Sequence, residues 1–391
     1  MDMSICQEDK IWKFPHYKVG EPIDWELLTN KFSWLSDMKG VKQDPIWHSE
    51  GDVYTHTKMV VEALVKFKEY KELNEQQQHI LFASAIFHDI EKRSTTTTEI
   101  VDGVERITSP RHAKRGESTV RSMLYKEWET PFKIREQIAK LVRHHGLPHF
   151  IFEREIPEKH AIKTSLILDT SLLYLLAKAD VVGRECEDKE DILLRIELFR
   201  ELCLEFECFR KAREFSSDYA RFLYLNRDDI MLGYEPYDDL KFTVYVMSAI
   251  PASGKDYYIE NHLDLPILSL DNIRRKHKIK PTDKKGTGRV VQMAKEEAKV
   301  YMRRKQSFVF NATNITKDMR SRWISLFWEY KARIKIIYLE VPYKQLKKQN
   351  SNRAYPVPLK IIDRLFEKLE IPDFEEGHEV EFLVEEGYKR D

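Results

Sequence analysis

Up to about residue 240, apolar positions recur at the three-to-four spacing of helices. The clearest runs are "TKMVVEALVKF" (57–67), "HILFASAIFHDIEK" (79–92), "IREQIAKLVRHH" (134–145), "SLLYLLAKADVVGR" (171–184) and "LLRIELFRELCLEF" (193–206). The first part of the chain therefore reads as all-α. From residue 241 the pattern changes to short β-rich runs, "KFTVYVMSA", "LPILSLD", "QSFVFNAT" and "RIKIIYLEV". They alternate with helical segments such as "VVQMAKEEAKVYMRRK" and "MRSRWISLFWEYKA". Strand-helix alternation predicts a parallel sheet with helices on its faces. "LGYEPYDDL" (232–240) carries the Gly, Pro and acidic punctuation of a boundary, so the expected domains are 1–238 and 239–391. No internal repeat or low-complexity tract interrupts either part.

At 391 residues the chain is long enough for two cores. Hydrophobic residues make up 42% and charged residues 33%, as in an ordinary globular protein. Neither a leader pattern nor a run of about 18 apolar residues is present, which sets the expectation of a cytoplasmic protein with no membrane partner. Cys6, Cys186, Cys203 and Cys208 lack metal-site or framework spacing and read as reduced thiols. The formal net charge of zero conceals an asymmetry. Residues 241–391 hold 30 Lys+Arg and 21 Asp+Glu, against 35 and 44 in residues 1–240, giving +9 and −9. The basic stretch "RRKHKIKPTDKKGTGR" (274–289) suits either a polyanion or a solvated loop.

Chemistry is first suggested by "YVMSAIPASGKDYYIE" (245–260), a strand followed by a Gly-Lys turn and a helix. A phosphate loop needs small residues whose amides converge on an anion at a helix N-terminus, and a lysine that reaches the outer phosphates. Ala252, Ser253, Gly254 and Lys255 meet these needs. Ala249 stands where the pattern has its first glycine, which is tolerable only if that position avoids positive φ. Asp256 stands where a hydroxyl normally ligates Mg²⁺, so a carboxylate there must bind the ion directly or through water.

The next strand ends in "LSLDNIRRK", which puts Asp271 at a strand's carboxyl end, the edge where such sheets bind ligands. A carboxylate there can accept the proton of an attacking hydroxyl, and Arg274, one turn on, can hold an acceptor phosphate. Its competing use is as a helix cap. "FVFNATN" brings Asn311 and Asn314 toward the same edge, and "QNSNRAYPVP" supplies Arg353 before a helix expected near Val357. An arginine on a lid neutralises charge on a transferred phosphoryl group. This order of motifs resembles the polynucleotide 5′-kinase branch of the P-loop phosphotransferases. The resemblance implies ATP and Mg²⁺, with Lys255 and Arg353 on ATP, Asp271 as general base and Arg274 on the acceptor phosphate. Asp256, and Asn311 in place of a metal-orienting Asp, depart from the family pattern.

The first part carries a separate set. His56, the pair His88-Asp89, and Asp180 fall in three helical segments, and imidazole with carboxylate suits divalent transition ions. Their order, with the spelling "WHSEGDVYTHTKMV", is similar to the HD phosphohydrolase superfamily, which implies that these four hold the primary metal. His112 in "SPRHAKRGES" and one of His144 or His145 in "VRHHGLPHF" fit versions with two ions and a bridging Asp89. Adjacent helical residues point about 100° apart, so one of the pair faces the site; His144 is the preferred member. Lys92, three residues after Asp89, lies on the same face and can bind a substrate phosphate or stabilise a leaving group, or can be a solvated surface lysine.

Together the halves resemble bacterial enzymes that heal nucleic-acid ends by pairing an HD domain with a polynucleotide kinase. The implied partners are DNA or RNA ends bearing a 5′-hydroxyl and a 3′-phosphate or 2′,3′-cyclic phosphate, together with a nucleoside triphosphate. A competing reading fuses an HD nucleotide phosphohydrolase to a small-molecule kinase or a regulatory ATP-binding domain. Trp12, Phe14 and Trp34 can stack on bases or pack in a core. The acidic tail from Glu370 has three possible fates: packing on the kinase part, forming a homodimer contact, or solvation.

Overall fold

The computed structural model describes residues 11–280 and 282–385, and the chain divides after Arg213 into two compact units. The first is built on α1 (Val53–Leu64), α2 (Glu75–Phe87), α3 (His112–Lys126), α4 (Phe132–His144), α5 (Thr170–Val182) and α6 (Lys189–Glu205), with shorter helices between them. Caps fix where the central helices begin. The Asp52 side chain accepts from Thr55 N at 2.8 Å ahead of α1, and Asn74 and Gln77 form a reciprocal capping box on α2. Residues 78–87 of α2 are all buried, as expected for a helix enclosed on every side. α1, α2 and α5 pack on one another. Gly183, just past α5, permits that approach, because a Cβ there would lie 2.5 Å from Val60 N.

The helical expectation has one exception. β1 (Thr97–Val101) and β2 (Val104–Thr108) form an antiparallel hairpin. Asp102 and Gly103, at φ of 51° and 80°, make its turn; an Asp-Gly pair between β-branched residues was the legible signal. Phe14 and Trp34 are buried, with Trp34 against Phe32 and Phe87, so both are core residues rather than base-stacking ones. Trp12 is half-buried, and its backbone amide donates to Gln76. Cys186, Cys203 and Cys208 are free thiols, and Cys6 lies outside the described residues.

The second unit contains α7 (Asp218–Asn226), β3 (Thr243–Ala249), α8 (Lys255–His262), β4 (Ile267–Ser269), α9 (Leu270–Lys276) and α10 (Lys284–Arg303). After these come β5 (Phe308–Asn311), α11 (Lys317–Glu329), β6 (Arg333–Glu340), α12 (Tyr343–Ser351), α13 (Leu359–Glu367) and β7 (Glu379–Val384). The five strands are parallel in the order β4-β5-β3-β6-β7. β3, β5 and β6 bury both faces, which accounts for their nearly continuous apolar runs. The division lies upstream of the expected boundary at 238/239. α7 belongs to the second unit, where Phe222 packs with Phe242, Val244 and Ile334, and Asn226 donates to Glu375 O. Within the acidic tail, residues 379–384 form an edge strand. β7 pairs with β6, and Lys335 lies 3.4 and 3.0 Å from the carboxylates of Glu379 and Glu381. Among the described residues, no helix is long and apolar enough to cross a membrane.

Candidate metal centre and phosphate cleft

In the first unit, helix ends converge on a buried cluster. His56 lies in the first turn of α1, His88 caps the C-terminus of α2 with Asp89 next to it, and Asp180 lies in the last turn of α5. His56 Nε2 is 3.1 Å from Asp180 Oδ1, 3.3 Å from His88 Nε2 and 3.7 Å from Asp89 Oδ2, while His88 Nε2 is 3.2 Å from Asp89 Oδ2. The other carboxylate oxygen faces a second group. Asp89 Oδ1 is 3.3 Å from His112 Nε2 and 3.9 Å from His145 Nε2, and those two nitrogens are 3.5 Å apart.

His145 therefore replaces His144 in the expected set. His144 ends α4 and His145 is its C-cap, so the rotation of about 100° per residue aims only one ring at Asp89. His144 instead lies near Glu117, alongside Lys140 and Arg121. Lys92 is where its spacing placed it, with Nζ 2.7 Å from Asp89 Oδ2 and 2.8 Å from Gln43 Oε1.

The imidazoles are held in one tautomer. The Nδ1 atoms of His88, His112 and His145 donate to Ala85 O, Ser109 O and Val142 O at 2.7, 2.8 and 2.8 Å, so that Nε2 of each ring faces inward. On the outer side of His56, Glu50 Oε1 lies 2.8 Å from His56 Nδ1 and 2.8 Å from His48 Nδ1. Burial pushes His145 down to about 3 and also lowers His112, so both are neutral near pH 7. Burial opposes ionisation of Asp89, yet Lys92 and His88 hold its carboxyl well below the usual range. Burial likewise opposes ionisation of Asp180, which Arg184 and His56 reverse.

These residues fit divalent metal. The lone pairs of His112 and His145 face each other, and buried Asp89 Oδ1 has no hydrogen-bond partner; a cation between them resolves both conflicts. His56, His88 and Asp180 form a second set of mutually close ligand atoms, with Asp89 between the sets. The adjoining cavity, about 490 Å³, is lined by Lys92, Trp47, Phe150, His149 and Arg184, and by Ile107 and Ser109 at the end of the hairpin. Glu50, His48, His149 and Arg184 escaped the sequence reading. Only the position of the first two beside His56 in "WHSEGDVYTH" hinted at a role.

In the second unit the phosphate loop follows β3 and opens α8. Ala249 ends the strand without positive φ, so its Cβ costs nothing there. The left-handed residues are Ala252 (φ 73°) and Gly254 (φ 87°), and the buried Ser253 between them donates its amide to Ile250 O. Alanine at positive φ carries strain that the surrounding turn must hold. Lys255 Nζ donates to Ala312 O at 3.1 Å; burial lowers its pKa, while Asp256 and Asp271 oppose the shift. The Asp256 carboxylate accepts from Asn311 Nδ2 at 2.9 Å.

A cleft of about 950 Å³ brings Ala252, Ser253, Gly254, Lys255, Asp256, Asp271 and Arg353 together at the carboxyl edge of the sheet. Ser269, rather than Asp271, caps α9, which leaves the Asp271 carboxylate 68% exposed and paired with Arg274 Nη1 at 2.9 Å. Arg353 sits between α12 and α13, in a loop whose ends Asn350 ties through two hydrogen bonds to Val357, at 2.7 and 3.0 Å. Asn314 is structural. It is buried, at φ 47°; its Nδ2 donates to Met247 O, and its carbonyl accepts from Ser248 Oγ and Arg320 Nη1.

Comparison with known proteins places a family on each unit. Residues 53–182 match the HD domain and residues 244–372 match the AAA domain, each about a third of the chain. No curated protein matches. Among solved structures, a protein of Chloroflexus aurantiacus described as a candidate kinase is 15% identical over 37% of this chain and 88% of its own, with a TM-score of 0.32. An unliganded sugar kinase from Janibacter sp. is 15% identical over 37% of this chain and 85% of its own, with a TM-score of 0.29. The chain joins a unit that matches the HD domain to one that matches the AAA domain.

Proposed function

We propose that the protein repairs broken nucleic-acid ends, phosphorylating a 5′-hydroxyl in its second unit and removing a 3′-phosphate or opening a 2′,3′-cyclic phosphate in its first. The observation that carries this reading is the pair Asp271 and Arg274, at the same sheet edge as Lys255 and Arg353. Asp271 is exposed and free of capping duty, as a base for an incoming hydroxyl must be. The guanidinium of Arg274 orients it and offers a contact for the phosphate next to the acceptor hydroxyl. Lys255 and the loop amides hold the triphosphate, and Arg353 balances charge as the phosphoryl group moves. ATP with Mg²⁺ is the donor, and Asp256 follows the loop lysine where the ion's hydroxyl ligand usually stands.

In the first unit His56, His88, Asp89, Asp180, His112 and His145 are the residues to hold one or two divalent ions. Ions there supply Lewis acidity and a water nucleophile at neutral pH. Lys92 stabilises charge on the phosphate, and exposed Trp47 and Phe150 offer surfaces for a terminal base. A phosphatase that clears 3′ ends and a kinase that charges 5′ ends make complementary products that a ligase consumes.

The test is transfer of the ATP γ-phosphate to a 5′-hydroxyl oligonucleotide with magnesium. The native protein is expected to transfer, and Lys255→Ala and Asp271→Ala each to lose on the order of 10²–10³-fold. Absence of transfer to both DNA and RNA, with the first unit's phosphoesterase intact, would sink the reading in favour of a phosphohydrolase with a small-molecule kinase or a regulatory ATP-binding domain.

A further inference from the structure

Two departures from the usual phosphate-loop chemistry face each other. In P-loop enzymes the ion is commonly held by a Ser or Thr hydroxyl after the loop lysine and by an Asp at the end of a neighbouring strand. Here the first position is Asp256 and the strand end is Asn311. They are in contact, with Asn311 Nδ2 donating to Asp256 Oδ1 at 2.9 Å. Asn311 Oδ1, the amide's oxygen, is buried and has no hydrogen-bond partner.

We infer that the carboxylate and the neutral ligand have exchanged places, so that Asp256 and Asn311 together form the magnesium site of the cleft. This rests on the kinase reading above. Both layouts give the pair one negative charge and one neutral oxygen donor, and hard oxygen donors are what Mg²⁺ accepts. Moving the charge onto the first turn of α8 puts it where the helix dipole favours an anion. It also puts it beside the place where Lys255 and the loop amides receive phosphates. A carboxylate so close to a triphosphate repels it unless a cation lies between them, so the exchange makes nucleotide binding depend strongly on the ion. Asn311 has two tasks: its amide nitrogen aims the carboxylate and its orphaned oxygen completes the donor pair.

The experiment measures ATP affinity by calorimetry on the full chain, with magnesium and with EDTA, for native protein, Asp256→Ser, Asn311→Asp and the double variant Asp256→Ser/Asn311→Asp. Native protein is expected to bind MgATP at least about tenfold more tightly than metal-free ATP. Asp256→Ser should lose most of that ratio, partly because metal-free ATP binds better once the repulsion is gone. The double variant, which restores the usual layout, should regain the ratio. Asn311→Asp alone sets two carboxylates against each other, so its thermal stability should rise more on adding magnesium than that of the native protein. An unchanged ratio in Asp256→Ser, or a double variant no better than Asp256→Ser, overturns the exchange while leaving the kinase reading standing. Failure of native protein to bind ATP under either condition overturns both.

Discussion

The two candidate sites are built on opposite physical plans. In the first unit the ligands are side chains from five separate helices or their ends, and His56, His88, Asp89 and Asp180 are almost wholly buried. In the second, the groups sit on loops, a strand end and the opening turns of helices at the edge of a sheet, with Asp256 and Asp271 exposed. A buried array of lone pairs and carboxylates is costly to fold unless a cation binds it, so the first site is coupled to metal through stability as well as chemistry. The open cleft carries no such cost and depends on ligand to bring its charged groups into register.

The difference can be broken most sharply at His145. His145→Ala should weaken divalent-metal binding by at least about 100-fold and abolish the phosphoesterase, whereas His144→Ala should keep both within about twofold; metal titration followed by phosphoester hydrolysis checks this. If His144→Ala proved to be the damaging change, the ring assignment at the end of α4 would be wrong. A smaller effect is expected one layer out. Glu50→Gln leaves every proposed ligand in place but removes the charge beside His56 Nδ1, and should weaken metal affinity about 10–100-fold while 5′-kinase activity stays unchanged.

The smallest effect concerns the second unit alone. His378 is buried, its Nδ1 accepts from Ile334 N at 3.0 Å, and burial pushes its pKa down from 6.5 to about 3. The unfolded chain takes up a proton below pH 6.5 that the folded unit refuses. The stabilisation is therefore complete above pH 6.5 and is lost as the pH falls toward 3, at about 1.4 kcal/mol per pH unit. Thermal unfolding of the second unit between pH 6.5 and 5 should show this slope, and His378→Gln should flatten it.

Those expectations depend on features of unequal visibility. The phosphate loop, Asp271, Arg274 and Arg353 were legible because each belongs to a contiguous motif at a strand or helix end, where backbone direction fixes what the residue faces. Asp89 with Lys92 was legible through helical spacing. His145 over His144 was not, because where α4 ends decides which ring turns inward, and helix ends are set by tertiary contacts. Glu50, His149 and Arg184 were hidden for a related reason: each matters through a neighbour distant in sequence or through a cavity wall. The hairpin had a readable Asp-Gly turn, but strands mostly open to solvent lack the apolar alternation that marked the others.

By itself the sequence determined the change from helical to strand-helix periodicity, the chemical types at both sites and the order of the phosphate-transfer motifs, because these follow from local spacing. Tertiary structure decided that α7 joins the second unit, that residues 379–384 of the acidic tail become an edge strand against Lys335, that Ser269 frees Asp271 from capping, and that Asp256 meets Asn311. Each of these depends on which distant segments share a core or a sheet edge. Local propensity carries no information about that choice; the burial of Phe222 among Phe242, Val244 and Ile334, and the pairing of β7 with β6, settle it.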